Sequence, residues 1–505
     1  LLDSISASAI RTLSQFVTQE LANIAWAVAK LLFRHRPLLE AIAAESLNKI
    51  RHMDAMNLSN IAWSVATLGI EDEPLRQAIA ASSLTTIRSA GPQELANTAW
   101  SMAALPLPHD PLLAAISASA RRRIRDFAGQ NLSNTAWAVS IRTFPDPPLM
   151  ASIAAASIRP IGAFDSQGFA NTAWAFSSLR VEDRPLLDAI SAASIALIGR
   201  RSARVSSEEE AHQLAFSILA LAWAFAFLPP FEAAPRSSLR GSLMLLGHWA
   251  DEAARRRARR QPASARSGPP AAGGAEVPRL LFGGAGMLVL CKPPGWEVDS
   301  VSNATDAISL SQYLQQHYNR RDFPLLHASA HGYGFIHRLD VASSGLVLVG
   351  TSFQGFFSLQ WQKNVYEIHR EYQVVSYDLE AGLLQRVDAS VNVSSAKTAR
   401  TLTEECGQPA ISHLLTEAHL YGGPAAVSSY CIIVIRIHTG RRHQIRAHTR
   451  AIGHPTACDG WYAPSRAMLR GADQAGPAPP RAWVRTPRWD GELSAAPEEL
   501  GGQVF

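Results

Sequence analysis

Trp26, Trp63, Trp100, Trp137 and Trp174 follow one another at intervals of 37 residues. A period of that length, held without insertion, restricts the first half of the chain to a repeat architecture. Each Trp lies in a block such as LANIAWAV, LSNIAWSV, LANTAWSM, LSNTAWAV or FANTAWAF. Asn23, Asn60, Asn97, Asn134 and Asn171 keep the same step. So do Pro37, Pro74, Pro111, Pro148 and Pro185, each opening a second block of the form PLLEAIAAESLNKI. A unit this small buries its apolar face only by stacking on its neighbours, so the spacing predicts a solenoid.

Each unit reads as two helices. In the first, Leu21, Ala22, Ala25, Trp26, Val28 and Ala29 follow the three-and-four spacing of an apolar stripe. In the second, Pro37 takes a first-turn position, and Leu38, Leu39, Ile42, Ala43 and Leu47 form the buried face. The opening residues LLDSISASAI match this second helix, so the chain starts in mid-repeat. With Leu1 rather than methionine at the start, it is expected to be a fragment or processed form. A degraded sixth unit is expected around Trp223, 49 residues after Trp174, with Ala220 at the Asn position. Leu239, Leu243, Leu246 and Trp249 then suit a capping helix. The repeated Trp and Asn read first as structural, Trp packing between helices and Asn bonding to a neighbouring turn. The sharper alternative has this helix surface reading RNA bases.

Composition bounds the rest. At 505 residues the chain is long enough for roughly three domains. Its 47% apolar and 18% charged residues exclude a wholly disordered chain. The longest apolar stretch, Ala215 to Leu228, broken only by Ser217, has 14 residues, short of the roughly 20 that cross a bilayer, and reads as a core helix. The four cysteines, Cys291, Cys406, Cys431 and Cys458, form no CxxC pair, which argues against a zinc ribbon or disulfide framework and for a reducing compartment. The net charge of +5 divides into 21 basic against 20 acidic residues over 1–250, 7 against 3 over 251–279, and 19 against 19 over 280–505. The excess therefore sits in a short connecting segment, where Arg255, Arg256, Arg257, Arg259 and Arg260 precede QPASARSGPPAAGG. Such a stretch cannot form a core and reads as a flexible tether.

From about residue 278 the pattern changes to short β-branched runs between turns. Met287 to Cys291 is an expected strand ending in the Lys292-Pro293-Pro294-Gly295 turn, and a helix is expected from Thr305. Strands are expected at Gly345 to Val349, Tyr372 to Ser376 and Cys431 to Ile437, with a helix over Arg441 to Ile452. Mixed elements in this order imply an α+β domain. The fold class is thus multidomain, an all-α solenoid of two-helix repeats over 1–254, a linker over 255–277, an α+β domain over 278–465 and an irregular tail over 466–505.

Three blocks in this half carry a resemblance: His337-Arg338-Leu339-Asp340 followed by Ser343-Ser344-Gly345; Tyr372 within REYQVV; and Thr439-Gly440-Arg441-Arg442-His443-Gln444-Ile445-Arg446, followed by Gly453-His454-Pro455 and Asp459-Gly460-Trp461-Tyr462. Together with the Lys-Pro-Pro-Gly turn, they resemble the RluA-type family of RNA pseudouridine synthases over about residues 280–462. The L-(A/S)-N-(T/I)-A-W blocks resemble the octotricopeptide and related helical repeats of organelle RNA-processing proteins, with a period one residue shorter.

Moving a uracil from an N-glycosidic to a C-glycosidic bond involves no redox change, and a carboxylate can serve as nucleophile at the sugar or as base for a sugar proton, so no cofactor or metal is expected. The resemblance implies that Asp340 is this carboxylate, Arg446 holds it ionised, and Tyr372 stacks on the base and takes part in proton transfer. It also implies that Arg338 fills the space of an extruded base. His337, Arg441, His443, Gln444 and Ile445 complete the expected RNA-contacting set. His438, His443 and His448 recur at a step of five, which does not keep them on one helical face, so a zinc site is not expected.

The expected partner is RNA, whether ribosomal, transfer or an organellar transcript, with a protein partner on the solenoid and a non-catalytic RNA-binding scaffold as alternatives and no membrane association. By analogy with the repeats alone, the chloroplast or mitochondrion is the expected compartment. The family's small basic RNA-binding module does not precede the catalytic blocks; the solenoid stands there instead.

Overall fold

The computed structural model describes residues 2–105, 109–144, 146–228, 231–259, 276–299, 309–377, 386–392, 400–404, 407–421, 429–457 and 459–462. It divides into two compact units, residues 1–368 and 369–505. The expected tail over 466–505, Cys406, Cys458 and residues 260–275 of the expected linker lie outside the described residues.

Unit 1 opens with α1 (Leu2–Thr12), α2 (Thr18–Lys30), α3 (Arg36–Lys49), α4 (Ala55–Leu68), α5 (Glu73–Thr86), α6 (Pro92–Ala104) and α7 (Asp110–Arg123). It continues with α8 (Gly129–Ile141), α9 (Pro147–Ile158), α10 (Ser166–Ser178), α11 (Arg184–Ser202), α12 (Glu208–Phe227) and α13 (Ala233–Arg259). The starts of α2, α4, α6, α8 and α10 fall 37 residues apart. Local chemistry sets these starts. The carboxylates of Asp72, Asp146 and Asp183 accept the backbone N–H three residues on, and a proline in the next turn lacks the donor that would otherwise be stranded. His35 and His109 cap α3 and α7 through Nδ1 instead. The even-numbered helices α2 to α12 stack on one another, and the odd-numbered helices α1 to α11 form a second layer. Between the layers Leu21, Leu58, Leu95, Leu132 and Phe169 are at most 1% exposed.

The repeated Trp pack between neighbouring helices as the structural reading has it, whereas, among the described residues, the repeated Asn do not bond to a neighbouring turn. Trp26 is 44% exposed and the next four Trp are half-buried. They meet along the first-helix layer, Trp100 stacking on Trp137 at 6.2 Å, while the Lys30 ammonium lies over both Trp26 and Trp63 at 5.5 and 5.3 Å. The five Asn side chains make no hydrogen bond among the described residues. Asn and Trp are three apart and so share one helix face, which stays half open, and water can satisfy the amides.

Next come β1 (Arg279–Gly284), β2 (Met287–Lys292), α14 (Leu310–His317), β3 (Gly345–Gly350) and α15 (Phe353–Asn364). The strands form an antiparallel sheet in the order β1-β2-β3. The solenoid end and α15 share one core. Leu214, Ile218, Leu243 and Leu246 cluster with Phe353, Phe357 and Trp361. The buried Asp251 carboxylate accepts from the backbone N–H of Phe353 (2.6 Å) and Gln354 (3.1 Å), capping α15 from α13. Asn364 Nδ2 donates to the Leu219 carbonyl (3.0 Å). The solenoid is thus joined to the first part of the α+β region by packing as well as by the chain between them. α12 is long and apolar enough to cross a membrane by length and composition, yet it packs against α10, α13 and α15.

Unit 2 contains β4 (Arg370–Tyr377), β5 (Arg386–Asp388), β6 (Val391–Asn392), β7 (Leu402–Thr403), β8 (Ile411–Tyr421), β9 (Ser429–Ile437) and α16 (Gln444–Ala451). Four strands form an antiparallel sheet in the order β4-β9-β8-β5, and β6 pairs with β7. Alternation along β9 sends Cys431, Ile433, Ile435 and Ile437 into the core, where Val387 and Leu414 meet Ile445 and Ile452 at α16.

Candidate active site

Asp340 lies in unit 1, in the irregular segment between Phe335 and β3. Its backbone is held on two sides. Ile336 N–H donates to the Leu348 carbonyl (3.0 Å), and Leu348 N–H donates to His337 Nε2 (3.3 Å), fixing the segment's start on β3. The next carbonyl after Asp340, that of Val341, accepts from Gly295 N–H (2.8 Å) and from the Lys292 ammonium (3.1 Å). Asp340 and Arg338 themselves are exposed. Arg338 is steered by Asp299 (3.0 Å) and Glu297 (3.9 Å).

Lys292 is the residue that sequence reading passed over, taking it as part of a turn signal. It is fully buried, and its ammonium donates to the carbonyls of Pro293 (3.1 Å), Trp296 (2.8 Å) and Val341. Burial pushes its pKa down, and Asp340 pulls it back up, so the two groups sense each other's charge. Lys292→Met would strand the Pro293 and Trp296 carbonyls and leave the Val341 carbonyl, next to Asp340, with only its bond from Gly295 N–H. We expect a loss of about 3 kcal/mol and a fall in turnover even at temperatures where the variant is folded. Unchanged melting and turnover in this variant would refute the role.

The other expected residues lie in unit 2. Tyr372 on β4 is half-buried, opposite Ile435, and packs on the same core face as Ile445. Arg441 Nε donates to the Pro409 carbonyl (3.1 Å), and His443 Nδ1 bonds with Tyr462 OH (3.0 Å). His443 takes a left-handed conformation (φ 50°) immediately before α16, so the chain turns sharply there. The structure corrects the reading of Gln444 as an RNA contact. Its side chain is 2% exposed and fully engaged: Oε1 accepts from Thr439 Oγ1 (2.8 Å) and Arg441 N–H (3.0 Å), while Nε2 donates to the Ile411 carbonyl (2.9 Å) and Ser412 Oγ (3.0 Å). Gln444 shapes the loop that presents Arg441 and His443. Ile445 is half-buried and packs against the core of unit 2.

Arg446 is held by a partner that the sequence placed in a block but gave no role. Its guanidinium forms two bonds with Asp459, at 2.6 and 2.7 Å, and lies over the rings of Tyr462 (4.6 Å) and Trp461 (5.8 Å). Burial pushes the Asp459 carboxyl up, but bonds from Arg446 and Thr456 outweigh this and leave it below the usual range. A planar fork locked on one edge presents its other N–H groups in a fixed direction.

Unit 2 also carries the buried His448 and the half-buried His438. His448 is 1% exposed, with Nδ1 against Ser412 Oγ (2.9 Å) and Nε2 donating to the Ala389 carbonyl (2.9 Å), so it is neutral with the proton on Nε2. Burial drives the pKa of His448 and of His438 down to about 4 from an ordinary 6.5. A base whose folded value is depressed contributes stability that is full above pH 6.5 and is lost as pH falls toward 4. We expect the melting temperature to be flat above neutrality and to fall steadily across that window, with a shallower slope in His448→Gln. A flat profile down to pH 4 would sink this assignment.

A family model described as RNA pseudouridylate synthase matches residues 286–451. This segment is an RNA pseudouridylate synthase domain. The match begins in unit 1 and ends in unit 2, and it contains Asp340, Tyr372 and Arg446. Ribosomal large subunit pseudouridine synthase D of Yersinia pestis is 28% identical over 202 residues, covering 40% of this chain and 57% of the relative. An uncharacterized RNA pseudouridine synthase of Chloroflexus aurantiacus is 30% identical over 138 residues, 27% of this chain and 40% of the relative. The solved structure of human RNA Pseudouridylate Synthase Domain Containing 1 aligns with a TM-score of 0.30 and 21% identity, covering 38% of this chain and 72% of that one. The chain spans about half the length of the curated relatives it matches. The synthase segment does not extend into α1–α13.

Proposed function

We propose that this protein isomerises uridine in RNA to pseudouridine, with the helical repeats holding the RNA. The observation that carries the reading is the synthase match over 286–451, within which the HRLD turn presents an exposed carboxylate. In this reading Asp340 either attacks the sugar carbon or removes a sugar proton as the C–N bond breaks. The uracil turns and rejoins through carbon as the Asp340–sugar bond breaks or, in the proton route, as Asp340 returns the proton to the sugar, and the proton displaced from the base carbon passes to the ring nitrogen. Atoms and electrons balance without an oxidant. The resemblance assigns Arg446, oriented by Asp459, the role of partner to the catalytic carboxylate. Tyr372 stacks on the base and assists proton transfer, and Arg338 enters the space the base leaves. His337, Arg441 and His443 contact the RNA around it.

The test is pseudouridine formation on ribosomal and transfer RNA by the full chain, read by mass spectrometry beside Asp340→Asn. The full chain is needed because α15 shares its core with α12 and α13. Product from the parent alone supports the assignment. A folded parent that binds RNA and forms no product would move the reading to a non-catalytic RNA-binding protein.

A further inference from the structure

The near-neutral charge of the solenoid conceals a segregation. Because α2 to α12 stack in one layer and α1 to α11 in the other, all turns from a second helix to the next first helix line one edge. Turns from a first helix to its second line the opposite edge. In the five eight-residue segments at the first edge, running from 10–17 in steps of 37 to 158–165, nine Lys or Arg stand against three Asp or Glu. In the five ten-residue segments at the other, from 31–40 to 179–188, six stand against nine.

Pairing sharpens the contrast. On the second edge Arg36, Arg76 and Arg184 are bonded to Glu40, Glu73 and Glu182. On the first, Arg51, Arg88, Arg125 and Arg159 are exposed and have no carboxylate within 4.0 Å among the described residues. Two of the three acids there, Asp54 and Asp165, are occupied as caps of α4 and α10. Between the ends of α5 and α7 lies a groove of about 700 Å³ with Ala115 and Ala118 in its wall. Arg88, Arg122 and Arg123 line it. Arg122 is oriented by Ser119 Oγ (3.1 Å) and Arg123 by the Ala90 carbonyl (2.8 Å), so both keep their charge uncompensated. A cation in a last helical turn complements the helix dipole, but one charge per helix meets that need, and α7 ends in three.

We infer that this edge is a track for the ribose-phosphate backbone of RNA, running along the ends of α3, α5, α7 and α9. Arginine forks on small-residue ground match phosphate oxygens and carry no base information. The inference rests on the RNA-modifying reading and adds where the strand runs and that it is gripped by charge. Selection among uridines would then fall to other surfaces.

The experiment titrates the full chain with a labelled oligouridylate across a salt series. The combined Arg51→Gln, Arg88→Gln, Arg125→Gln and Arg159→Gln variant removes exposed side chains that make no bond among the described residues, so folding is preserved. Its control is Arg36→Gln, Arg76→Gln and Arg184→Gln on the other edge. With about 0.7 in the slope of log K against log salt per single-strand contact, the four changes should lower the slope by about three and weaken binding about a hundredfold near 0.15 M salt. The control should keep the parental slope. A track variant with the parental slope and affinity overturns the inference while pseudouridine formation by the parent leaves the enzyme reading intact. Competition by polyglutamate as strong as by oligouridylate would assign the edge to an acidic protein and also overturn it. A parent that neither binds nor modifies RNA removes both.

Discussion

Asp340→Asn is expected to lower pseudouridine formation by a factor of about 10⁴ or more, the loss typical of removing a group that makes and breaks covalent bonds. The side chain is exposed, and the backbone around it is anchored through Ile336, His337 and the Val341 carbonyl, so the fold does not depend on the carboxylate. Melting should therefore change by less than about 0.5 kcal/mol. The pairing of a large kinetic loss with an unchanged melting curve is what distinguishes chemistry from packing. Product at near-parental rates in this variant would remove Asp340 from the mechanism.

The second large effect concerns stability and runs against helix propensity. Gly355 lies in the first turn of α15, where alanine would ordinarily gain up to about 1 kcal/mol. Here an added Cβ would fall on the carbonyl oxygen of Gly286 and 2.7 Å from its carbon. That carbonyl is fixed by Thr351 N–H (2.7 Å), and Gly286 itself has φ +79°. Neither partner can give, because both atoms belong to backbone. The start of α15 would have to move off the β1–β2 turn, and with it Phe353 and Gln354, whose N–H groups Asp251 caps. We expect Gly355→Ala to cost about 4 kcal/mol, measured by denaturant unfolding. Stability equal to the parent or above it would show that the approach of α15 to this turn is not tight. Asp251→Ala should weaken the same junction by about 2 kcal/mol, since it strands two N–H donors but also relieves a carboxylate whose pKa burial raises.

How much of this was readable from the chain depends on whether the signal is local. The two-helix units were legible from the 37-residue recurrence of Trp, Asn and Pro, because solenoid contacts join neighbours of constant separation. The strands at Met287, Gly345, Tyr372 and Cys431 were legible from runs of β-branched residues between turns, and the structure extends each by one to three residues. The HRLD and TGRRHQIR blocks named the residues of the candidate site. Their surroundings were not legible. Lys292 bonds Val341 across 49 positions, Arg446 finds Asp459 across 13, and Asp251 caps Phe353 across 102. Gln444 was misread because a polar residue within an arginine-rich block looks exposed until the loop closes over it.

The sequence by itself determined the element types, the repeat and the identity of the proposed catalytic carboxylate, since periodicity and short blocks are properties of neighbouring residues. Only the tertiary structure decided that the solenoid end and α15 share a core, that the repeated Trp face is half open, and that the charges of a nearly neutral region separate onto two edges. Those features depend on which side chains the fold brings together across long separations, and no local pattern encodes that distance.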